Sequence, residues 1–425
     1  MKGKFTRRQI DRIENILIAL LVCTAVFLVG QTNLFQTFVG QGAGQESGAY
    51  RAAQTTQIPD QTPVAVMVQN DLGRCGLRYD QTGVERVYDQ GLKDLLFHTL
   101  DRMEKPKKSS QEAWQQAITQ SENWVCYDFL YDTPFVSTTG QEGRARIFLV
   151  TFRNGQADAL YGYEQASGEY WVSQVGTSGL AMPAQVQGLG PNQVCFAFED
   201  PELAALLPGY MMVGSTAPSF RVYNASNPLA GMDETGIRAM LETAGFNLQA
   251  VSIYESADGT VVREGSDTIR IQEDGSVIYH GSESGEARYE ADSTEELDLR
   301  EEAEAVLELL TAGRTGEARF FCQGAEEQPD GTQILTYSYL LQGARVSLGE
   351  NGWSARFRFQ GDSLVSFEII FRQYEITEVP CAVPPERQAT AAAEAQSQVG
   401  KELQLCHRDD GSGLTKALWT VREMG

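Results

Sequence analysis

Residues 335–372 read LTYSYLLQGARVSLGENGWSARFRFQGDSLVSFEIIFR, and their period-two alternation limits the folds open to the chain more than any other feature. Tyr337, Tyr339 and Leu341 alternate with small or polar neighbours, as do Ala344, Val346 and Leu348. Trp353, Ala355, Phe357 and Phe359 follow Asn351-Gly352, and Val365, Phe367, Ile369 and Phe371 follow Gly361-Asp362. Successive strand residues point to opposite faces, so this spacing predicts an antiparallel sheet with one buried face. Tyr337, Tyr339, Val346, Trp353, Phe357 and Phe359 are expected to face a helix. The stretch holds no evident reactive group.

The same logic covers the rest of the chain. A strand at PVAVMVQN precedes a helix over 85–103, in which Val87, Leu92, Leu95, Leu96 and Leu100 follow helical spacing. A helix near 111–121 leads to strands WVCYDFL, RIFLVTF, ADALYGYE and EYWVSQV, with turns at Asn154-Gly155 and Ser167-Gly168. VCFAFED closes this region, and a Pro/Gly-rich linker runs to about 228. A helix with Ile237, Met240, Leu241 and Ala244 on one face ends at Gly245, and a meander with turns at Asp258-Gly259 and Asp274-Gly275 follows. The order repeats: Ser293 and Glu296 form a capping-box pattern, and Leu299, Ala303, Val306, Leu307 and Leu310 make a stripe that Gly313 stops. The opening sheet comes next, then a helix from Pro385 and two closing strands. The expected fold class is α+β, with antiparallel sheets packed on helices in helix-plus-meander modules.

The N-terminus has a different character. Lys2, Lys4, Arg7, Arg8 and Arg12 precede the apolar run Ile16 to Val29, which with Ile13 and flanks to Phe38 is long enough to cross a ~30 Å hydrocarbon core. The basic flank predicts a cytoplasmic N-terminus and a single-pass protein of the cell membrane with everything downstream outside. No small-x-small cleavage site follows the run, so an uncleaved anchor is expected rather than a signal peptide. Further apolar residues after Cys23 argue against lipidation there. Ala19 and Cys23 lie four apart on one helix face and can admit a close helix–helix contact. The expected organisation is a cytoplasmic tail (1–12), an anchor and flank (13–38), a flexible tether (39–62), a first α+β domain (63–228), a central module (229–292) and a C-terminal α+β module (293–425).

A net charge of −23 in 425 residues argues against nucleic acid, whose phosphates need clustered Lys and Arg. Six of the seven cysteines would lie outside the membrane, and their irregular spacing leaves disulfides and free thiols equally open. The histidines are His98, in an apolar helix, His280, at a strand end, and His407, whose neighbour Cys406 would point to the opposite face. No metal signature, nucleophile elbow, phosphate loop or dinucleotide loop is present, so neither metal nor cofactor is expected. Acidic pairs such as Glu301-Glu302 and Asp409-Asp410 read as solvated faces rather than glycosidase carboxylates.

A basic tail, one anchor and an α+β ectodomain without a catalytic set resemble the YycH/YycI regulators of the WalK–WalR cell-envelope two-component system of Gram-positive bacteria. DTIRIQEDGSVIYHG (267–281), YSYLLQGARVSL and SFEIIFRQYEI (337–376) carry the likeness; Gly343-Ala344-Arg345-Val346 departs from the family by lacking a proline. The resemblance covers the last ~160 residues best. It implies a non-enzymatic regulator that associates with a WalK-like sensor histidine kinase, and with a paralogous regulator, partly through transmembrane helices. The alternative is an extracytoplasmic binding module for a cell-wall or peptide ligand, with Arg345, Arg356, Arg358 and Arg372 offered to carboxylates. An envelope hydrolase would need a convergent acid/base cluster, which the sequence does not show.

Overall fold

The computed structural model describes residues 56–176, 179–214, 216–281, 287–349, 352–395 and 402–422. The apolar run, Ala19 and Cys23 lie outside them. Among the described residues no helix is long and apolar enough to cross a membrane. Most of these residues belong to antiparallel sheets covered by a few helices, an α+β architecture.

The first sheet contains β1 (Ala65–Asn70), β2 (Gly73–Arg78), β3 (Lys107–Ser109), β4 (Asn123–Val136), β5 (Glu142–Arg153), β6 (Gln156–Glu164) and β7 (Glu169–Gln174), in the order β2-β1-β4-β5-β6-β7-β3. Both faces are covered, which is why the central stretches Trp124–Tyr127 of β4 and Ile147–Val150 of β5 have no polar alternation. Val66, Val68, Tyr127, Phe148 and Val150 pack against helices α1 (Gln81–Val87) and α2 (Lys93–Asp101). The helix expected over 85–103 is thus two helices meeting at a π turn, Tyr88–Leu92. Gly91 takes φ +130° there, and a Cβ on it would press on Pro183 at 3.0 Å. On the other face Met67, Trp124, Cys126 and Leu149 pack against α3 (Gln111–Gln120), and against the small ribbon of β8 (Cys195–Phe196) and β9 (Met212–Val213). Short helices α4 (Ala184–Gln187) and α5 (Pro201–Ala204) complete this part.

The second sheet has thirteen strands among the described residues. Phe220–Ser226, in the stretch expected to be a linker, is strand β10. After α6 (Glu234–Thr243) come β11 (Ser252–Ser256), β12 (Gly259–Glu264), β13 (Asp267–Gln272) and β14 (Ser276–His280), and after α7 (Glu296–Thr311) come β15 (Arg319–Glu327), β16 (Thr332–Leu341), β17 (Ala344–Leu348), β18 (Ala355–Gln360), β19 (Ser363–Ile370) and β20 (Gln373–Cys381). Helix α8 (Glu386–Ala395) precedes β21 (Glu402–Asp409) and β22 (Leu414–Arg422). The order is β11-β12-β13-β14-β19-β18-β16-β17-β21-β22-β10-β20, with β15 bonded only to β16. Thr332–Tyr337 of β16 pairs with β18, while Leu340 and Leu341 pair with β17. β17 and β21 are parallel.

Tyr337, Phe357 and Phe359 pack with Ile237, Leu241, Leu299 and Val306 of α6 and α7, as their alternation predicts. Tyr339 and Val346 differ, packing with the strand residues Tyr223 and Tyr374 rather than with a helix. Trp353 precedes β18 and is half-buried under the Arg356 guanidinium, 4.9 Å from its ring. The capping box expected at Ser293 and Glu296 does not form. Glu295 is the N-cap residue of α7, and the Ser293 hydroxyl instead accepts from the Glu295 N–H at 3.1 Å and bonds Asp298.

Candidate functional site

Two arginines, Arg146 fully buried and Arg78 half-buried, join the first sheet to the C-terminal chain. β4 and β5 lose register between Asp128 and Thr133, where Leu130 is forced to φ +68°. The Asp128 carboxylate secures that bulge by accepting from the Leu130 N–H at 2.8 Å. Its two oxygens also accept from Nε and Nη2 of Arg146 on β5, at 3.0 and 3.2 Å. Nη1 and Nη2 of the same guanidinium reach Glu402 of β21, at 2.8 and 2.6 Å. Burial pushes the Asp128 carboxyl up, but Arg146 more than offsets this and holds it below its ordinary value. Nearby, Arg78 at the end of β2 pairs with Glu386 of α8 and donates to the Met212 carbonyl at 2.6 Å. Glu386 also accepts from the Gly214 N–H. Burial raises the Glu386 carboxyl, with Arg78 opposing.

Beside this weld lies a groove of about 750 Å³, with β4–β7 as its floor and the start of α7 as its wall. Two cross-strand pairs of an aromatic residue with a glycine flatten the floor. Trp171 lies over its partner Gly162, where a Cβ would sit 2.1 Å from the indole. Phe135 lies over its partner Gly143, with 2.7 Å for the equivalent contact. The Phe135 and Trp171 ring centroids are 5.6 Å apart, with Phe148 6.3 Å from Trp171. The Trp171 indole donates to the Arg144 carbonyl at 3.2 Å, and the Arg144 side chain pairs with Glu296. Glu296 also pairs with Arg300 at 2.7 Å, and Lys108 pairs with Glu169 on the rim. Glu142, Glu164, Glu295 and Asp298 add further acidity to the lining. An aromatic floor with an acidic rim stacks flat faces and attracts cations and hydroxyl groups.

The residues singled out in the sequence do not converge on this groove. His98 is exposed on α2 against Phe97, and His280 is exposed at the end of β14. His407 on β21 has no solvent exposure, and neither ring nitrogen completes a hydrogen bond. Phe220 and Tyr223 lie edge-on to it, with centroids 5.3 and 5.4 Å away. Burial pushes it down to about 4, with the Leu341 backbone pulling the other way. Of the four arginines offered to carboxylates, only Arg356 and Arg358 share an exposed face. Arg356 and Arg358 are exposed on β18, the Arg345 guanidinium reaches the Tyr131 hydroxyl at 3.4 Å, and Arg372 pairs with Asp409 at 3.1 Å. Asp409 is itself buried and also accepts from the Tyr374 hydroxyl, while Asp410 is exposed. The six described cysteines are unpaired. Among the described residues no group of three or more His, Cys, Asp or Glu side chains could hold a metal ion. The sequence reading missed the groove altogether; its one local signal was a glycine placed opposite an aromatic residue, visible only once the hairpin register is set.

No family model matches the chain, and no curated protein matches it. Among solved structures, an uncharacterized protein from Eubacterium rectale ATCC 33656, with a crystal structure at 1.45 Å, is similar at a TM-score of 0.33 and 11% identity. The match covers 48% of this chain and 77% of that one, too loose a likeness to carry an argument.

Proposed function

We propose that the chain is a non-enzymatic, single-pass regulator of the YycH/YycI kind that associates with a WalK-like sensor histidine kinase and adjusts its activity in cell-envelope homeostasis. The carrying observation is the order of parts: a basic tail and an apolar run precede the described residues, which belong to one compact unit. The ion pairs of Arg146 and Arg78 support this reading, because they tie elements far apart in sequence to one another. A regulator shifts a two-state kinase only by its difference in affinity for the two states. A stiff ectodomain on one helix communicates such a difference between outside and membrane. The test replaces residues 13–30 with an unrelated transmembrane helix and scores kinase association by two-hybrid signal in the membrane. Loss of signal is expected; a signal unaffected by the swap would move the contact to the ectodomain, and no signal with the native helix would remove the reading.

The aromatic groove favours a second reading, an extracytoplasmic module that binds a cell-wall or peptide ligand. Titration of cell-wall fragments against the full chain, followed through Trp171 emission, tests it; an unchanged signal counts against it.

A further inference from the structure

The groove on the first sheet presents one aromatic face to a ligand. The Trp171 indole lies across Gly162, so glycine backbone covers its sheet side, and the side turned away lines the groove. Trp171 is half-buried, whereas its neighbours Phe135 and Phe148 have no more than 1% exposure. Of these three rings it is the one within reach.

The register places hydrogen-bonding groups beside that ring. Lys108 is the cross-strand partner of Trp171, and Glu169, two residues before Trp171 on β7, is the partner of Glu164. All four side chains therefore share one face of the sheet. Lys108 pairs with Glu169, and the Ser167 hydroxyl donates to Glu164 at 2.7 Å. The Arg144 carbonyl accepts the indole N–H, while the Arg144 guanidinium pairs with one oxygen of Glu296 and Arg300 with the other. Glu169 and Glu296 are thus matched by cations. Glu142 and Glu295 make no ion pair among the described residues, but both are exposed, where water and salt screen them.

This combination discriminates between ligands. An anionic polymer is turned away by the acidic excess of the lining. A basic peptide must compete with Lys108, Arg144 and Arg300 for the matched carboxylates. A neutral ring rich in hydroxyls meets neither obstacle, because each hydroxyl both donates to a carboxylate and accepts from an ammonium. Its C–H face is apolar and electropositive, and so complements the electronegative face of the indole. A volume of about 750 Å³ lies in the upper part of the range for small-ligand sites, about 300 to 1,000 Å³, which suits a chain of rings.

We propose that the groove binds a neutral glycan, a chain of uncharged pyranose rings, with one ring stacked on Trp171 and its hydroxyls on Lys108, Glu169 and Glu164. This rests on the binding-module reading and narrows its ligand to the sugar.

The test is calorimetry on the full chain, in micelles of a detergent without a sugar headgroup. Cellotetraose and chitotetraose supply plain and N-acetylated rings, and a cell-wall stem peptide and tetralysine supply the other ligand classes. At least one tetrasaccharide is expected to bind saturably, with an affinity that changes less than about twofold between about 50 and about 500 mM NaCl, since no net charge is neutralised. Trp171→Ala weakens that binding about tenfold or more. Glu169→Ala, on the exposed rim, weakens it about threefold or more. Should Trp171→Ala fail to fold, Trp171→Phe, with its smaller ring face, and Glu169→Ala decide. The proposal is overturned if neither tetrasaccharide binds, or if a folded Trp171→Ala binds like the wild type. Binding of the stem peptide in place of the sugars overturns the glycan and leaves the binding-module reading standing, and silence of all four ligands removes both. Salt-sensitive binding of tetralysine alone overturns it in favour of a cationic ligand.

Discussion

Arg146 on β5 and Glu402 on β21 meet through two hydrogen bonds of 2.8 and 2.6 Å, although 256 residues separate them. Neither side chain has more than 1% solvent exposure. The other edge of the guanidinium holds Asp128, so a single cation bridges two buried carboxylates and joins the first sheet to the second. Removing one member of such a group leaves an uncompensated buried charge.

Arg146→Met is therefore expected to lower stability by about 3–5 kcal/mol, measured by urea unfolding. Removing the exposed pair of Lys93 and Asp60 is the control and should cost under about 1 kcal/mol. A similar small loss from both changes would show that the weld is not what unites the sheets.

The acid response carries two opposed contributions. His407 is pushed down to about 4, so the unfolded chain takes up its proton first as pH falls below about 6.5. The stability that neutral His407 carries above that pH is lost between about 6.5 and 4, about 3 kcal/mol at most. Glu304 is pushed up to about 7, so its penalty is present above pH 7 and is relieved as pH falls toward its unfolded value. Its contribution has the opposite sign and is reduced by the partial exposure of Glu304. Stability profiles from pH 8 to 4 check this. His407→Leu should flatten the acid-side loss, Glu304→Gln should steepen it, and parallel profiles for all three proteins would refute the assignment.

Gly162→Ala places a Cβ where the Trp171 indole now lies. The ring must shift, at a cost of about 1–3 kcal/mol. Trp114 and Trp124 have no solvent exposure, so a red shift of emission that disappears in the additional Trp171→Phe background reports this movement. An unshifted spectrum would mean that the floor tolerates the methyl group.

The legible parts of the fold are those whose partners are close in sequence. Phe357, Phe359, Phe367 and Ile369 alternate with exposed or half-buried neighbours because β18 and β19 form a hairpin with one packed face. Ile237, Met240 and Leu241 mark α6 for the same reason. Long-range pairing was not legible. β17 and β21 are joined in parallel across the intervening strands and α8, and nothing in either segment encodes that choice. β21 is buried on both faces, so His407 and Cys406 are both enclosed and alternation gives no warning. Phe220–Ser226 lies among prolines and glycines, yet it pairs with β20 and β22. Of the candidate residues, Ala19 and Cys23 fall outside the described part. The groove comes from register and layer packing, which local periodicity does not contain.

The central claim, association with a sensor kinase through the apolar run, is tested most directly in the membrane itself. A photocrosslinking amino acid is placed at Ala19 or Cys23 of the full chain in the producing cell, and the adducts are identified by mass spectrometry. The account predicts an adduct with a sensor histidine kinase from at least one position. Adducts with lipid alone at both positions, or with proteins unrelated to a two-component system, would contradict it.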